Sequence, residues 1–440
     1  MFINFKYHFF SLVKTNSPFG FFQKGGLSFI LPIFFFICFS LFNATAQETD
    51  WPNFHGLDRT NKSTETGLLK EWPKDGPALN WSVSGIGEGY SSVSIADGYI
   101  FTAGSNSGQT FVFCFDLSGK LLWKKPNGKA WSTTMSHARS YTGSRSTPTY
   151  NDGVLYHLGE SGRLAAFNSK TGEEIWQREL PREFEPEPTE YGYSESVLID
   201  GDNLYVSPFG KKGFTVCLNK NTGKLIWANT EISGIEGYSS PVIMEFAGYR
   251  QIISSSGHFY YGVDSETGKL LWKFDFENQR ELNNTDAIIS NEYVFISSGY
   301  GKGSVLFKLK NSEKGITPET VWQSELMDNH HGGVILDNGY LYGAGSNSRG
   351  WFCLDFLTGK QMWKTGGKGS VTFADGMLYL LDERGTMNLV RATPEKFELK
   401  GEFKVPKGGE GMYWAHPVVC NGTLYIRHAD KLYAYNIKQE

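Results

Sequence analysis

Along this chain, short apolar runs ending in tryptophan alternate with polar turns that carry Asp or Asn and then Gly. The unit reads Asp116-Leu-Ser-Gly-Lys-Leu-Leu-Trp123 and Asn168-Ser-Lys-Thr-Gly-Glu-Glu-Ile-Trp176, and it returns with copies ending at Trp227, Trp272 and Trp363. In such a turn the Asp or Asn side chain closes on the backbone and Gly supplies the positive φ that a twist-matched hairpin needs. A second turn signal lies upstream in Asp97-Gly98, Asp152-Gly153, Asp200-Gly201, Asn338-Gly339, Asp375-Gly376 and Asn421-Gly422. Two hairpins per unit predict four antiparallel strands.

Degenerate copies extend the series to Trp81, Trp123, Trp176, Trp227, Trp272, Trp322, Trp363 and Phe403, spaced by 40 to 53 residues. Eight four-stranded units of that length predict an all-β fold, an eight-bladed β-propeller. The last unit holds only three strands, over residues 415–419, 423–427 and 431–437. Its missing strand is expected from residues 78–83 around Trp81, so that the N-terminal strand closes the ring on the C-terminal blade. The propeller is thus assigned to residues 76–440, and residues 47–75 to an N-terminal arm lying across the ring.

Residues 1–46 carry Lys6, Lys14 and Lys24 without an acid, then an apolar run over residues 27–42, then Ala44-Thr-Ala46. That order reads as an export signal cut after Ala46, giving a periplasmic or secreted protein with no membrane span after cleavage. Bulky Ile37 before Cys38 argues against a lipoprotein site. With 42 basic against 46 acidic side chains there is no positive field for a nucleic acid. Cys114, Cys217 and Cys353 occupy equivalent places in the repeat, where other copies hold Ala166 and Gly262. A place that accepts Cys, Ala or Gly is a tight packing position, and no disulfide is expected there.

The Asp-x-x-Thr-Gly-Lys-x-x-Trp repeat resembles that of the pyrroloquinoline-quinone (PQQ) repeat propellers. That family includes quinoprotein alcohol dehydrogenases and the propeller lipoprotein of the outer-membrane β-barrel assembly machinery. The resemblance covers residues 78–440 and implies that Trp81, Trp123, Trp176, Trp227, Trp272, Trp322 and Trp363 wedge between adjacent blades. The opening Trp51-Pro-Asn-Phe-His-Gly-Leu-Asp-Arg59 is similar to that of exported, largely uncharacterised members.

Propeller ligands meet the loops that feed the innermost strands. In this chain those loops offer Glu88, Tyr90, Arg139, Arg145, Tyr193, Glu195, Glu236, Tyr238, Asp286, His330, His331, Trp414 and His416. On a ring all of these but Arg139 line a polar central funnel, a candidate binding site. No residue is assigned a catalytic role. His330 and His331, adjacent in an extended strand, are expected to face opposite ways and so not to share a metal, and none is assigned. The chain lacks Cys-x-x-Cys-His, Gly-x-Ser-x-Gly and His-Glu-x-x-His. These features favour a non-catalytic scaffold for a protein or glycan partner. The alternative that the resemblance implies is a PQQ- and calcium-dependent dehydrogenase of alcohols or sugars. Glu88, Glu195, Glu236, Asn284 and Asp286 are suitable oxygen ligands for that ion, but the adjacent cysteine pair of such enzymes is missing.

Overall fold

The computed structural model describes residues 50–138 and 141–439; the expected export leader and Arg139 lie outside them. Eight sheets of four antiparallel strands follow one another along the chain. Their innermost strands are Ser94–Ala96, Thr149–Asn151, Leu198–Asp200, Val242–Phe246, Ile288–Ser290, Val334–Asp337, Gly369–Ala374 and Val418–Cys420, in blades 1 to 8. Among the described residues the only α-helix is Leu180–Phe184, and no helix is long and apolar enough to cross a membrane.

Local chemistry explains the strand ends. Asp97, Asp152, Asn338, Asp375 and Asn421 all have φ near +50°, each followed by a positive-φ Gly, as a two-residue hairpin turn requires. At the other turn, Asp264 Oδ1 accepts from the backbone N–H groups of Glu266 and Thr267, and the remaining copies repeat the pattern. Each tryptophan then reaches the next blade. The indole N–H groups of Trp81, Trp123, Trp176, Trp227 and Trp322 donate to the carbonyls of Leu117, Ser169, Lys220, Ser265 and Phe356, each one residue past the turn Asp or Asn. The ring face lies on the turn glycine, and a Cβ on Gly119 would sit 2.8 Å from Trp81.

Three copies depart from this rule for a visible reason. Blade 7 has no Asp-to-Gly turn, so the Trp363 indole donates to Thr393 O at 2.7 Å. Blade 5 replaces the Asp-to-Gly turn with a long hairpin, Gly303–Ser312 to Gly315–Ser324, so no turn carbonyl meets Trp272. Its indole donates instead to Gln251 of its own blade at 2.6 Å. Phe403 has no N–H to donate and packs on Gly76, just ahead of the closing strand. Directly across the sheet from the tryptophans stand Cys114, Ala166, Cys217, Gly262 and Cys353. Small size is what the indole demands there, and these cysteines are buried free thiols.

Ring closure follows the sequence expectation. Strand Leu79–Val83 pairs antiparallel with Lys431–Asn436 of blade 8, Trp81 opposite Ala434. Eight hydrophobic clusters each bridge two neighbouring blades, and one joins Val418 and Tyr425 of blade 8 to Ile95 and Phe113 of blade 1. Ahead of that strand, Trp51 bridges Ile95, Lys62–Ser63 adds in parallel to Gly369–Ala374, and Leu68 bridges Lys438. Between these anchors, residues 53–61 turn into the channel, with His55, Arg59 and Asn61 at positive φ.

Candidate functional site

Strand alternation and the loop glycines decide which side chains reach the ring axis. A cavity of about 330 Å³ opens there among the loops that feed the innermost strands. Of the twelve funnel residues expected from the sequence, Tyr90, Arg145, Tyr238, Asp286, His330, His331, Trp414 and His416 line it, and so does Asn284, the remaining oxygen-ligand candidate. The other four do not. Gly87 and Gly89 let the chain bridge Glu88 to Ser105, which sends the Glu88 side chain into a separate groove, where it accepts from Thr142. Tyr193 is turned into the core between blades 2 and 3, donating to Pro208 O. Glu195 is 2% exposed and takes Ser207 N–H on both oxygens at 3.2 Å. Glu236 accepts from the Tyr238 hydroxyl and from Glu190 N–H.

Several lining residues escaped the sequence reading. Tyr191 lies two places before Tyr193, but Gly192 at φ +74° breaks the alternation between them, so Tyr191 faces the cavity. Lys368 precedes the inner strand of blade 7, a loop whose signal was there to find. Glu383 comes from a hairpin tip, and Tyr141 and Tyr300 from irregular segments. Phe54 belongs to the arm and lines the cavity, its ring stacked on His55 at 3.8 Å.

The two adjacent histidines correct an expectation. They sit in a bend rather than an extended strand, so both rings enter the cavity and their Nδ1 atoms approach to 2.8 Å. Asn284 Nδ2 donates to His330 Nε2 at 3.0 Å, which leaves the His330 proton on Nδ1, directed at His331 Nδ1. His331 then carries its proton on Nε2, 3.5 Å from Glu383 Oε1. Burial and the neighbouring imidazole hold His330 well below the usual histidine range, and burial lowers His331. Burial alone would raise the Glu383 carboxyl, but His331, Lys368 and the Trp414 N–H outweigh it and bring it down to about 2.

A second chain runs through the arm. His416 Nε2 donates to His331 O at 2.7 Å, its Nδ1 meets His55 Nε2 at 3.0 Å, and His55 Nδ1 faces Asp286 Oδ2 at 3.2 Å. His416 is neutral, held down by burial and by His55. It therefore accepts from His55 Nε2–H. Arg59 completes the plug, donating from its buried guanidinium to Ser196, Val197 and Pro241 carbonyls.

Burial raises Glu195 to about 8 despite Ser207 and Arg59, with Asp286 adding repulsion, and raises Glu236 to about 7 against Tyr238. A carboxyl raised from 4.5 favours the folded state fully below that value, and the contribution is lost as pH rises through 8. The expected slope for one proton is at most about 1.4 kcal/mol per pH unit. Glu195→Gln should therefore flatten the fall in urea midpoint between about pH 5 and pH 8. A variant that keeps the parent slope would mean that Glu195 is ionised in the folded protein.

Residues 111–365, and an overlapping stretch 72–183, match the family model described as outer membrane protein assembly factor BamB. Quinohemoprotein alcohol dehydrogenase ADH IIB of Pseudomonas putida is 27% identical over 165 residues, 33% of this chain and 22% of that enzyme. BamB of Shewanella oneidensis is 22% identical over 270 residues, 58% of this chain and 65% of that protein. Among solved structures, BamB from Moraxella catarrhalis superposes with a TM-score of 0.57 at 15% identity, covering 82% of this chain and all of that one. The chain spans only 22 to 35% of the length of the quinoprotein alcohol and ethanol dehydrogenases it matches in Pseudomonas.

Proposed function

Because the chain belongs to the PQQ-repeat propeller family described as outer membrane protein assembly factor BamB, we propose that it is an exported, non-catalytic binding propeller. It takes a protein or glycan partner at the mouth of its central cavity. One observation carries this reading: the reactive groups of the cavity are engaged with one another. Tyr238 is bound to Glu236, His330 to His331, and Lys368 to Glu383 at 3.2 Å, while Arg145 donates to the carbonyls of Tyr141 and Tyr191. What remains on offer is ring surface, from Tyr90, Tyr141, Tyr191, Tyr300 and Trp414. Aromatic faces with wet polar edges suit recognition. The assembly factor from Shewanella supports a protein partner.

The dehydrogenase alternative needs a bound quinone and a calcium ion. Its relatives keep it in view, but the donor set does not fit. Glu88, Glu195 and Glu236 are outside the cavity, and Asp286 is engaged by Ser240 N–H and His55. That leaves Asn284 Oδ1 as the one unengaged oxygen of the set, too few for calcium. Both cations that would meet the quinone carboxylates are held by protein acceptors. Calorimetric titration of PQQ into calcium-loaded protein, followed by dye-linked assay over alcohols and sugars, is expected to give neither binding nor turnover. Micromolar binding together with turnover that disappears in Arg145→Ala would defeat the scaffold reading.

A further inference from the structure

We infer that the cavity takes a neutral, hydroxyl-bearing ring, the terminal sugar residue of an uncharged glycan. This rests on the binding reading above and names its ligand class. Charge is the first argument. Lys368 lies 3.2 Å from Glu383, His55 lies 3.2 Å from Asp286, and Arg145 is held by two carbonyls with Glu236 and Glu160 nearby. A charged ligand would enter a cavity whose charged side chains are already engaged with protein partners, which is costly. A neutral one has nothing to neutralise.

Surface chemistry supplies the second argument. Tyr141 stacks on Trp414 at 22° with centroids 5.4 Å apart, and Tyr191 meets Tyr238 edge-on at 6.0 Å. These rings form an aromatic wall against which the C–H face of a pyranose packs. The hydroxyls of Tyr90 and Tyr300 have no hydrogen-bond partner among the described residues, although both rings line the cavity. A phenol donates one hydrogen bond and accepts others, which matches the sugar hydroxyl group by group. Size and shape supply the third. A volume of about 330 Å³ is at the lower end of the roughly 300–1,000 Å³ typical of small-ligand sites. Phe54, with His55 stacked behind it, stands on the arm side, so a glycan would enter from the opposite side by its end.

The test uses the folded full chain, with tryptophan fluorescence and calorimetry against cellotriose, maltotriose, laminaritriose, xylotriose and mannotriose. Trigalacturonate and phosphocholine serve as charged counter-probes. At least one neutral trisaccharide is expected to saturate, with binding about 2- to 10-fold weaker in Tyr300→Phe, the worth of one hydrogen bond. Trp414→Ala is expected to abolish it, and circular dichroism shows whether that variant folds. Three results would overturn the inference: no neutral trisaccharide binds, only a charged probe binds, or Tyr90→Phe and Tyr300→Phe together leave the affinity unchanged. Failure of the sugars alone removes only the glycan, whereas PQQ-dependent turnover removes the binding reading as well.

Discussion

Deleting residues 47–85 is expected to lower the melting temperature by about 10 °C or more, or to drive the protein into aggregates. The segment buries Trp51, Leu68 and Trp72 to 3, 1 and 7% exposure, each side chain worth about 1.5–3 kcal/mol. Its strand Leu79–Val83 also covers the edge of Lys431–Asn436, which would otherwise offer unpaired N–H and C=O groups to another copy. Trp81 docks blade 8 on the Leu117 carbonyl at 3.0 Å, and that wedge between blades 8 and 1 goes with it. Removing Arg59 further leaves the Ser196, Val197 and Pro241 carbonyls without their donor. Set against a total stability of about 5–15 kcal/mol, these losses are comparable to the whole. Scanning calorimetry and size-exclusion chromatography provide the check. A monomer that melts where the parent does would mean that the ring holds without its N-terminal strand.

The blades were legible because their rules are local. A turn Asp or Asn, a positive-φ Gly and a terminal Trp lie within nine residues of one another, and the fold repeats the same physics in the five copies that carry all three. Where a local signal was missing, the outcome changed. Without an Asp-to-Gly turn in blade 5, the indole of Trp272 turned back to Gln251, which no repeat alignment announces. The cavity was harder to read because its parts come from distant segments. The loops before the inner strands supply Tyr90, Arg145, Tyr238, Asp286, Trp414 and His416 to the cavity lining. Choosing between Tyr191 and Tyr193 required the φ of Gly192, and placing His330 and His331 on one side required a bend in place of a strand. His55 reaches Asp286 and His416 across hundreds of residues of sequence, so only the folded arm shows that the plug and the cavity share one hydrogen-bond chain.

Arg427→Met is expected to cost about 3–5 kcal/mol, from several carbonyls left unpaired at roughly 1–3 kcal/mol each. Arg427 lies on strand Thr423–His428 of blade 8 and is 1% exposed, yet its guanidinium spends itself on the neighbouring blade. It donates to Ser91 O at 2.9 Å, to Gly87 O at 3.3 Å and to Ala103 O, with a further bond to Ala429 O at 3.1 Å. Gly104 is glycine partly for this reason, since a Cβ there would meet the guanidinium at 2.9 Å. Methionine fills much of the same volume, so the loss would report hydrogen bonds more than a cavity. Lysine keeps the charge but not the planar fork, and Arg427→Lys should fall between parent and Met variant. The seam has a functional side too, because Gly87 and Ser91 flank Tyr90, which lines the cavity. Urea unfolding of the three proteins measures the first effect, and the tryptophan fluorescence of the folded Met variant the second, through the contact of Tyr90 with Trp414 at 5.1 Å. A Met variant as stable as the parent would show that blades 8 and 1 are held by their apolar cluster and the closing strand alone.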